Sequence, residues 1–341
     1  MSKNKIIITG GLGFIGTNLI SALLKKNYHI INFDKNSTQS NSKFLFFKDK
    51  KYKFIKIDLA KIKPDRLNKL FQTYKPKCII NLASETHVDR SIDAPSEIIK
   101  SNILSLTNLA LAIERYNRKN LKKIKFLHVG TDEIYGDIPL KDNKFFKESS
   151  PLNPKNPYSA SKASQLNIIR SFHNTYNLEF IIINPSNNFG PYQFPEKLIP
   201  KSIELIKSNK FVEIYGDGKN IRNWIYVENT VNAIIKIMVS GKKNESYNVA
   251  SSDLISNKDI IDRIYHFMNI NKKKIKNVPD RPGHDRKYAS SSYKIRKLGW
   301  SNKISFDEGI KKTILWYLDK KNIRFFNSNK IILKRLGKLK K

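Results

Sequence analysis

The chain has 341 residues, 40% of them apolar and spread along its whole length, enough to bury a full core and form two lobes, which excludes a disordered polyelectrolyte. Its net charge of +35 first suggests a polyanion partner. The lysines, however, lie in nearly every segment beside abundant Asn and Ile, all with A/T-rich codons, so drift in base composition accounts for them and no specific nucleic-acid surface is read. A single cysteine, Cys78, inside the apolar run Cys78-Ile-Ile-Asn-Leu82, excludes a disulfide framework or a cysteine-based zinc site and reads as a buried strand residue.

The first apolar strand, Lys5 to Thr9, begins almost at Met1 and runs straight into glycines, and no stretch reaches the roughly 18 apolar residues of a membrane span, so a cytoplasmic protein is expected. A helix follows from Phe14 to Leu24. His29 to Phe33 is a second strand ending at Asp34, Phe54 to Ile57 a third ending at Asp58, Cys78 to Leu82 a fourth and Ile124 to Val129 a fifth. A helix at about Pro157 to Tyr176 then leads to the strand Phe180 to Asn184. This alternation predicts an α/β fold: a Rossmann-like, doubly wound parallel sheet with helices on both faces. Beyond Pro185 shorter elements interspersed with Pro and Gly predict a smaller mixed α/β lobe. The expected division is residues 1–184 as a dinucleotide-binding domain with a contribution from about 222–250, residues 185–320 as mainly a substrate-binding lobe, and 321–341 as a basic tail.

The first crossover carries Thr9-Gly10-Gly11-Leu12-Gly13-Phe14-Ile15-Gly16 between strand and helix. Glycines there let the backbone turn tightly and approach a pyrophosphate, which the amides and dipole of the helix start stabilise. Asp34 follows about 20 residues later at a strand end, where a carboxylate binds a ribose diol and repels a 2′-phosphate, favouring NAD over NADP. Asp58 at the next strand end either reaches the adenine or caps a helix.

The segment Thr131-Asp132-Glu133-Ile134-Tyr135-Gly136 and the downstream Tyr158-Ser-Ala-Ser-Lys162 supply two acid/base sets. Tyr158 and Lys162 share one helix face, so the ammonium is expected to lower the phenol's pKa and make it a base toward an alcohol whose carbon gives up hydride. Asp132 and Glu133 exceed what simple alcohol oxidation needs. Two carboxyls with separated pKa values can serve as one acid and one base, which points to oxidation coupled to elimination. His87 and His284 have no Cys or His partners at metal spacing, so no metal site is read and local hydrogen bonding is expected.

These motifs, with Ala83-Ser-Glu-Thr86-His-Val-Asp-Arg-Ser91, Ser186-Asn187-Asn-Phe-Gly-Pro191, Phe194-Pro-Glu-Lys197-Leu198-Ile-Pro200 and Arg281-Pro-Gly-His-Asp-Arg286, resemble the extended short-chain dehydrogenase/reductases, and among them the dTDP-glucose 4,6-dehydratase family, from about Lys5 to Leu318. The resemblance implies that Tyr158, with Lys162 and Thr131, takes the proton from sugar O4 as C4 passes hydride to NAD. Glu133 then removes the acidified C5 hydrogen, protonated Asp132 donates to the departing C6 hydroxyl, and hydride returns to C6. It also implies cofactor contacts from Gly10, Gly13, Phe14, Ile15, Gly16, Asp34, Lys35, Asp58, Leu59, Leu82, Ala83, Ser101, Tyr158 and Lys162. Substrate contacts are implied for Thr86, Thr131, Asn187, Lys197, Leu198, Tyr215, Arg222, Asn257 and Arg281, with Arg222 and Arg281 clamping the diphosphate. A homodimer joined through helices is expected on the same ground.

The chain departs from the family pattern at Lys35-Asn-Ser-Thr-Gln-Ser-Asn41, at Gly130 in place of a common Ser, and at Asn223 in place of an Asp. None of these touches the acid/base set. A nucleotide-sugar 4-epimerase would share Tyr158 and Lys162 but has no need of Asp132 and Glu133; UDP-glucose is an alternative substrate, and a non-catalytic polyanion-binding protein is a remote alternative. The acid-free segment 321–341 reads as a disordered tail, ahead of an amphipathic helix for an anionic membrane face.

Overall fold

The computed structural model describes residues 4–37, 40, 41, 46, 48–280 and 282–323. In chain order the elements are β1 (Lys5–Thr9), α1 (Phe14–Lys25), β2 (His29–Asp34), β3 (Tyr52–Lys56), α2 (Pro64–Tyr74), β4 (Cys78–Asn81), α3 (Val88–Asp93), α4 (Pro95–Lys119) and β5 (Lys125–Val129). A 3₁₀ turn, Asp132–Tyr135, precedes α5 (Pro157–Tyr176), β6 (Ile181–Pro185), β7 (Asn187–Phe189), α6 (Leu198–Lys207), β8 (Val212–Tyr215) and β9 (Ile221–Tyr226). Then come α7 (Val227–Ser240), β10 (Glu245–Val249), β11 (Leu254–Ser256), α8 (Asn257–Phe267), β12 (Ile275–Val278), α9 (Tyr293–Arg296), α10 (Phe306–Leu318) and α11 (Lys320–Ile323). Among the described residues no helix is long and apolar enough to cross a membrane.

The isoleucine runs of β1, β4 and β6 are β-branched throughout and buried, as strands covered on both faces require. They form a seven-stranded sheet in the order β10-β6-β5-β4-β1-β2-β3, parallel at every pairing. Alternate side chains feed two apolar layers. Ile6, Ile8, Leu19, Leu23, Val231 and Ile234 pack α1 and α7 on one face, and Ile7, Leu67, Leu106, Leu109 and Ile169 pack α2, α4 and α5 on the other. This is the doubly wound Rossmann-like arrangement, and the strand order reverses between β1 and β4, where such sheets open a crevice at their carboxyl ends.

At that crevice Gly10 has φ +69°, and a Cβ there would lie 2.6 Å from the Ala83 backbone nitrogen, so both the turn and the close approach of the neighbouring strand require glycine. The strand read as Phe54 to Ile57 instead spans Tyr52–Lys56. Tyr52 is drawn into the sheet because its hydroxyl accepts a hydrogen bond from Asn32 Nδ2 at 2.9 Å. The seventh strand, β10, arrives from well past Pro185 and pairs with β6 from Glu245↔Ile181 to Val249↔Pro185.

After β6 the chain builds two small sheets, β11-β9-β7 with mixed pairing and β12-β8. Their core joins Phe189, Ile203, Ile214, Trp224, Ile260 and Ile310 from α6, α8, α10 and the strands.

Candidate active site

The first turn of α1 has no side-chain cap, and Gly10, Gly13, Phe14, Ile15 and Gly16 line a cavity of about 330 Å³. Asp34, at the end of β2, accepts hydrogen bonds from Leu12 N at 3.0 Å and Asn36 N at 2.8 Å, while burial pushes its carboxyl above its ordinary value. Asp34, Lys35, Asp58, Leu59, Leu82, Ala83 and Ser101 line the same cavity, and Lys35 is ion-paired with Glu85. Asp58 Oδ1 accepts from Ala60 N at 3.0 Å in a local turn instead of capping a helix, since α2 has its N-cap at Lys63, five residues on. Open helix-start amides, a carboxylate at the second strand end and apolar walls from Ile57, Leu59 and Leu82 form a donor set that fits a dinucleotide.

Thr131, Glu133, Tyr158 and Lys162 lie on the inner wall of this cavity. β5 delivers Thr131 as the cap of the 3₁₀ turn, its hydroxyl accepting from Glu133 N at 3.4 Å. The helix α5 starts from a capping box between Asn156 and Ser159 with Pro157 in its first turn, which fixes Tyr158 and Lys162 one turn apart at its buried end. Tyr158 N also donates to Ser91 Oγ at 3.2 Å.

Electrostatically the pair differs from the expectation of an ammonium acidifying a phenol. Lys162 Nζ donates to the Val129 carbonyl at 2.9 Å, and burial pushes its pKa down to about 7. Burial first, and then Glu133, raise the Tyr158 phenol, while its hydrogen bond with Thr131 opposes them. Helical spacing correctly puts the two side chains on one face, but desolvation of both dominates their charges. Asp132 is only 1% exposed and stands behind Glu133 instead of on the cavity wall. Burial and the neighbouring Glu133 hold its carboxyl well above its usual range against Arg222 and a hydrogen bond from Ser290.

A second cavity, of about 220 Å³, adjoins the first. Thr86, Glu133, Asn187 and Lys197 border both, and Leu198, Tyr215, Arg222 and Asn257 border the second. Lys197 Nζ donates to the Thr86 carbonyl at 3.1 Å and the Tyr215 hydroxyl donates to Asp89 at 3.3 Å. The Arg222 guanidinium donates to the Asp285 carbonyl at 2.7 Å and lies 4.2 Å over the Tyr288 ring. Arg281 lies outside the described residues.

Some residues at or behind these walls, Glu196 and Arg90 among them, have no role assigned by the motifs in which they lie, and Ser290 lies in none. Glu196 pairs with Arg90 at 3.0 Å and faces His87 Nε2 at 3.4 Å, across more than a hundred residues of chain. His87 Nδ1 also accepts from Arg90 N at 3.2 Å, and His284 Nδ1 meets Asp280 at 2.6 Å, the local bonding expected of both histidines. Ser290 sits in a run of serines with nothing to single it out.

The sequence matches the GDP-mannose 4,6 dehydratase family over residues 7–313. It is 37% identical over 338 residues to a dTDP-glucose 4,6-dehydratase of Salmonella typhimurium, covering 92% of each chain. Two solved structures are similar throughout. One is a dTDP-glucose 4,6-dehydratase of Bacillus anthracis in complex with NAD, at TM-score 0.84 and 32% identity, covering 94% of this chain and 98% of that one. The other is a dTDP-glucose 4,6-dehydratase of Streptomyces venezuelae, also with NAD bound, at TM-score 0.87 and 30% identity, covering 95% of this chain and 99% of that one. A UDP-glucose 4-epimerase of Thermotoga maritima, at 24% identity and TM-score 0.83, shares the fold. By its sequence match along nearly its whole length, this chain belongs to the GDP-mannose 4,6 dehydratase family and has dTDP-glucose 4,6-dehydratases among its relatives.

Proposed function

We propose that this chain is an NAD-dependent nucleotide-sugar 4,6-dehydratase that converts dTDP-glucose into dTDP-4-keto-6-deoxyglucose for deoxysugar synthesis of the rhamnose type. The observation that carries this reading is the convergence of Tyr158, Lys162, Thr131 and Glu133 on one cavity, with Glu133 at its junction with the second and the buried Asp132, whose carboxyl is held well above its usual range, beside Glu133. Gly10, Gly13, Phe14, Ile15, Gly16, Asp34, Lys35, Asp58, Leu59, Leu82, Ala83 and Ser101 would hold the NAD. Bound there, NAD supplies oxidising power at C4 and gives it back as reducing power at C6.

Tyr158, as the phenolate that its hydrogen bond with Thr131 steadies, takes the proton from O4 as C4 becomes a ketone and is left as the phenol. The ketone acidifies C5, whose proton passes to Glu133. Asp132 gives its own proton to the C6 oxygen, the C6–O bond breaks, water leaves and a C5–C6 double bond forms. Glu133 then returns a proton to C5, so the net change is loss of one water. Arg222, Lys197, Asn187, Asn257, Thr86, Leu198 and Tyr215, together with Arg281, would take the nucleotide diphosphate and its base.

Functionally the chain divides into a cofactor domain, residues 1–184 with a contribution from about 222–250, and a mainly substrate-binding part, 185–320. We also propose a homodimer joined through helices, which the exposure of Ile99 and Leu104 on α4 supports, and a place in the cytoplasm. Sedimentation analysis tests the former. The basic tail lies outside the described residues beyond Ile323, and deleting 321–341 while measuring sedimentation with anionic vesicles tests its membrane reading.

Incubating the pure protein with dTDP-glucose and UDP-glucose in parallel tests the activity. A 4-keto-6-deoxy product carrying solvent deuterium at C5, faster from dTDP-glucose, is expected. A C4-inverted sugar with no keto product would establish an epimerase instead.

A further inference from the structure

We infer that Ser290 is a positioning residue for the general acid, fixing which oxygen of Asp132 carries the proton. This rests on the dehydratase reading above. Ser290 Oγ donates to Asp132 Oδ2 at 3.5 Å across 158 residues of chain, and both residues are buried. A protonated carboxyl has one acceptor oxygen and one donor oxygen. A hydroxyl donating to Oδ2 makes that oxygen the acceptor and leaves the proton on Oδ1. Without the serine only the Asp132 backbone amide and the Arg222 charge bias the carboxyl, and a smaller part of the population is poised to protonate a leaving hydroxyl.

Ser290 is itself held rigidly. Its N–H donates to Asn223 Oδ1 at 2.8 Å, and Asn223, fully buried, donates from Nδ2 to the Ser251 carbonyl at 2.9 Å. On the other side Phe146 N donates to the Ala289 carbonyl at 2.7 Å and Ser291 N to the Phe146 carbonyl at 2.8 Å, an isolated bridge that ties this segment to the one after the 3₁₀ turn. The amide of Asn223 satisfies a donor and an acceptor at once, which a carboxylate at that position would not do.

The test is the transient kinetics of Ser290→Ala beside Asp132→Asn and the unaltered enzyme with dTDP-glucose. In Ser290→Ala, C4 oxidation, read as nicotinamide reduction, should keep its rate, while water loss, read by quenched-flow product analysis, should slow about tenfold, the worth of one hydrogen bond in the barrier. The pH limb on which the acid loses its proton should move upward, since the serine bond favours the carboxylate. Equal slowing of both steps, or none of either, overturns the assignment. If Asp132→Asn stalls before water loss and Ser290→Ala does not, only the serine's role fails; if Asp132→Asn loses water at the normal rate, the reading of Asp132 as the acid fails first.

Discussion

A Cβ built on Gly130 would lie 2.3 Å from Asn184 Oδ1, so an asparagine on β6 occupies the space that a side chain before Thr131 would need. The same asparagine donates from Nδ2 toward the Tyr135 hydroxyl at 3.3 Å, and that hydroxyl donates to Asn248 Oδ1 at 2.9 Å. Gly130 and Asn184 thus form one packing unit beneath the 3₁₀ turn. Gly130→Ser should cost about 1–3 kcal/mol by overpacking. Adding Asn184→Ala should relieve most of it, so a denaturation double-mutant cycle should show coupling of about 1 kcal/mol or more.

Removing the carboxylate of Glu133 separates oxidation from elimination. Glu133→Gln should still reduce bound NAD on mixing with dTDP-glucose but accumulate the reduced form, with little deuterium entering C5. Steady turnover at the unaltered rate would reject Glu133 as the C5 base.

Lys162 makes stability depend on pH in a direction set by its depressed pKa. In the unfolded chain the amine titrates near 10.5, in the folded one near 7, so between these values the unfolded state binds more protons and stability rises with pH. Below about pH 7 the buried cation imposes its full cost, on the order of a few kcal/mol. Lys162→Met should therefore gain stability over the parent most at pH 6.5 and progressively less toward pH 10 in urea titrations, a trend that flat differences would refute.

Asp34 accepts amide hydrogen bonds from Leu12 in the glycine turn and from Asn36 just beyond β2, and is expected to meet the ribose diol. Asp34→Ala should lose about 1.5–3 kcal/mol of NAD affinity and relax discrimination against NADP. Nucleotide released on denaturing the purified variant, together with titration of each cofactor, checks this.

The features legible in the sequence are those written over short spans. Gly10 to Gly16 sits between a strand and a helix, Asp34 falls one strand later, and Tyr158 and Lys162 are a helical turn apart, so local periodicity and spacing place them. Asn187, Lys197, Tyr215 and Arg222, proposed above for the substrate, gather at one cavity that no local rule would assemble, and only resemblance groups them. Contacts such as Ser290 to Asp132 or Glu196 to Arg90 join distant segments, and the motifs that contain Asp132, Glu196 and Arg90 do not show which residues meet. The charge state of Lys162 was also hidden, because spacing predicts proximity whereas desolvation depends on everything that surrounds the amine.

The pairing of β10 with β6 has a consequence for how the protein is made. While the ribosome is still reading codons before 245, the nascent sheet ends in β6 with an open row of backbone donors and acceptors, an invitation to intermolecular pairing. The wall behind Asp132 is completed later still, when residues near 290 emerge. A translation product halted between those two points would have all seven strands of the large sheet but no finished catalytic chamber, so order of synthesis keeps chemistry until last.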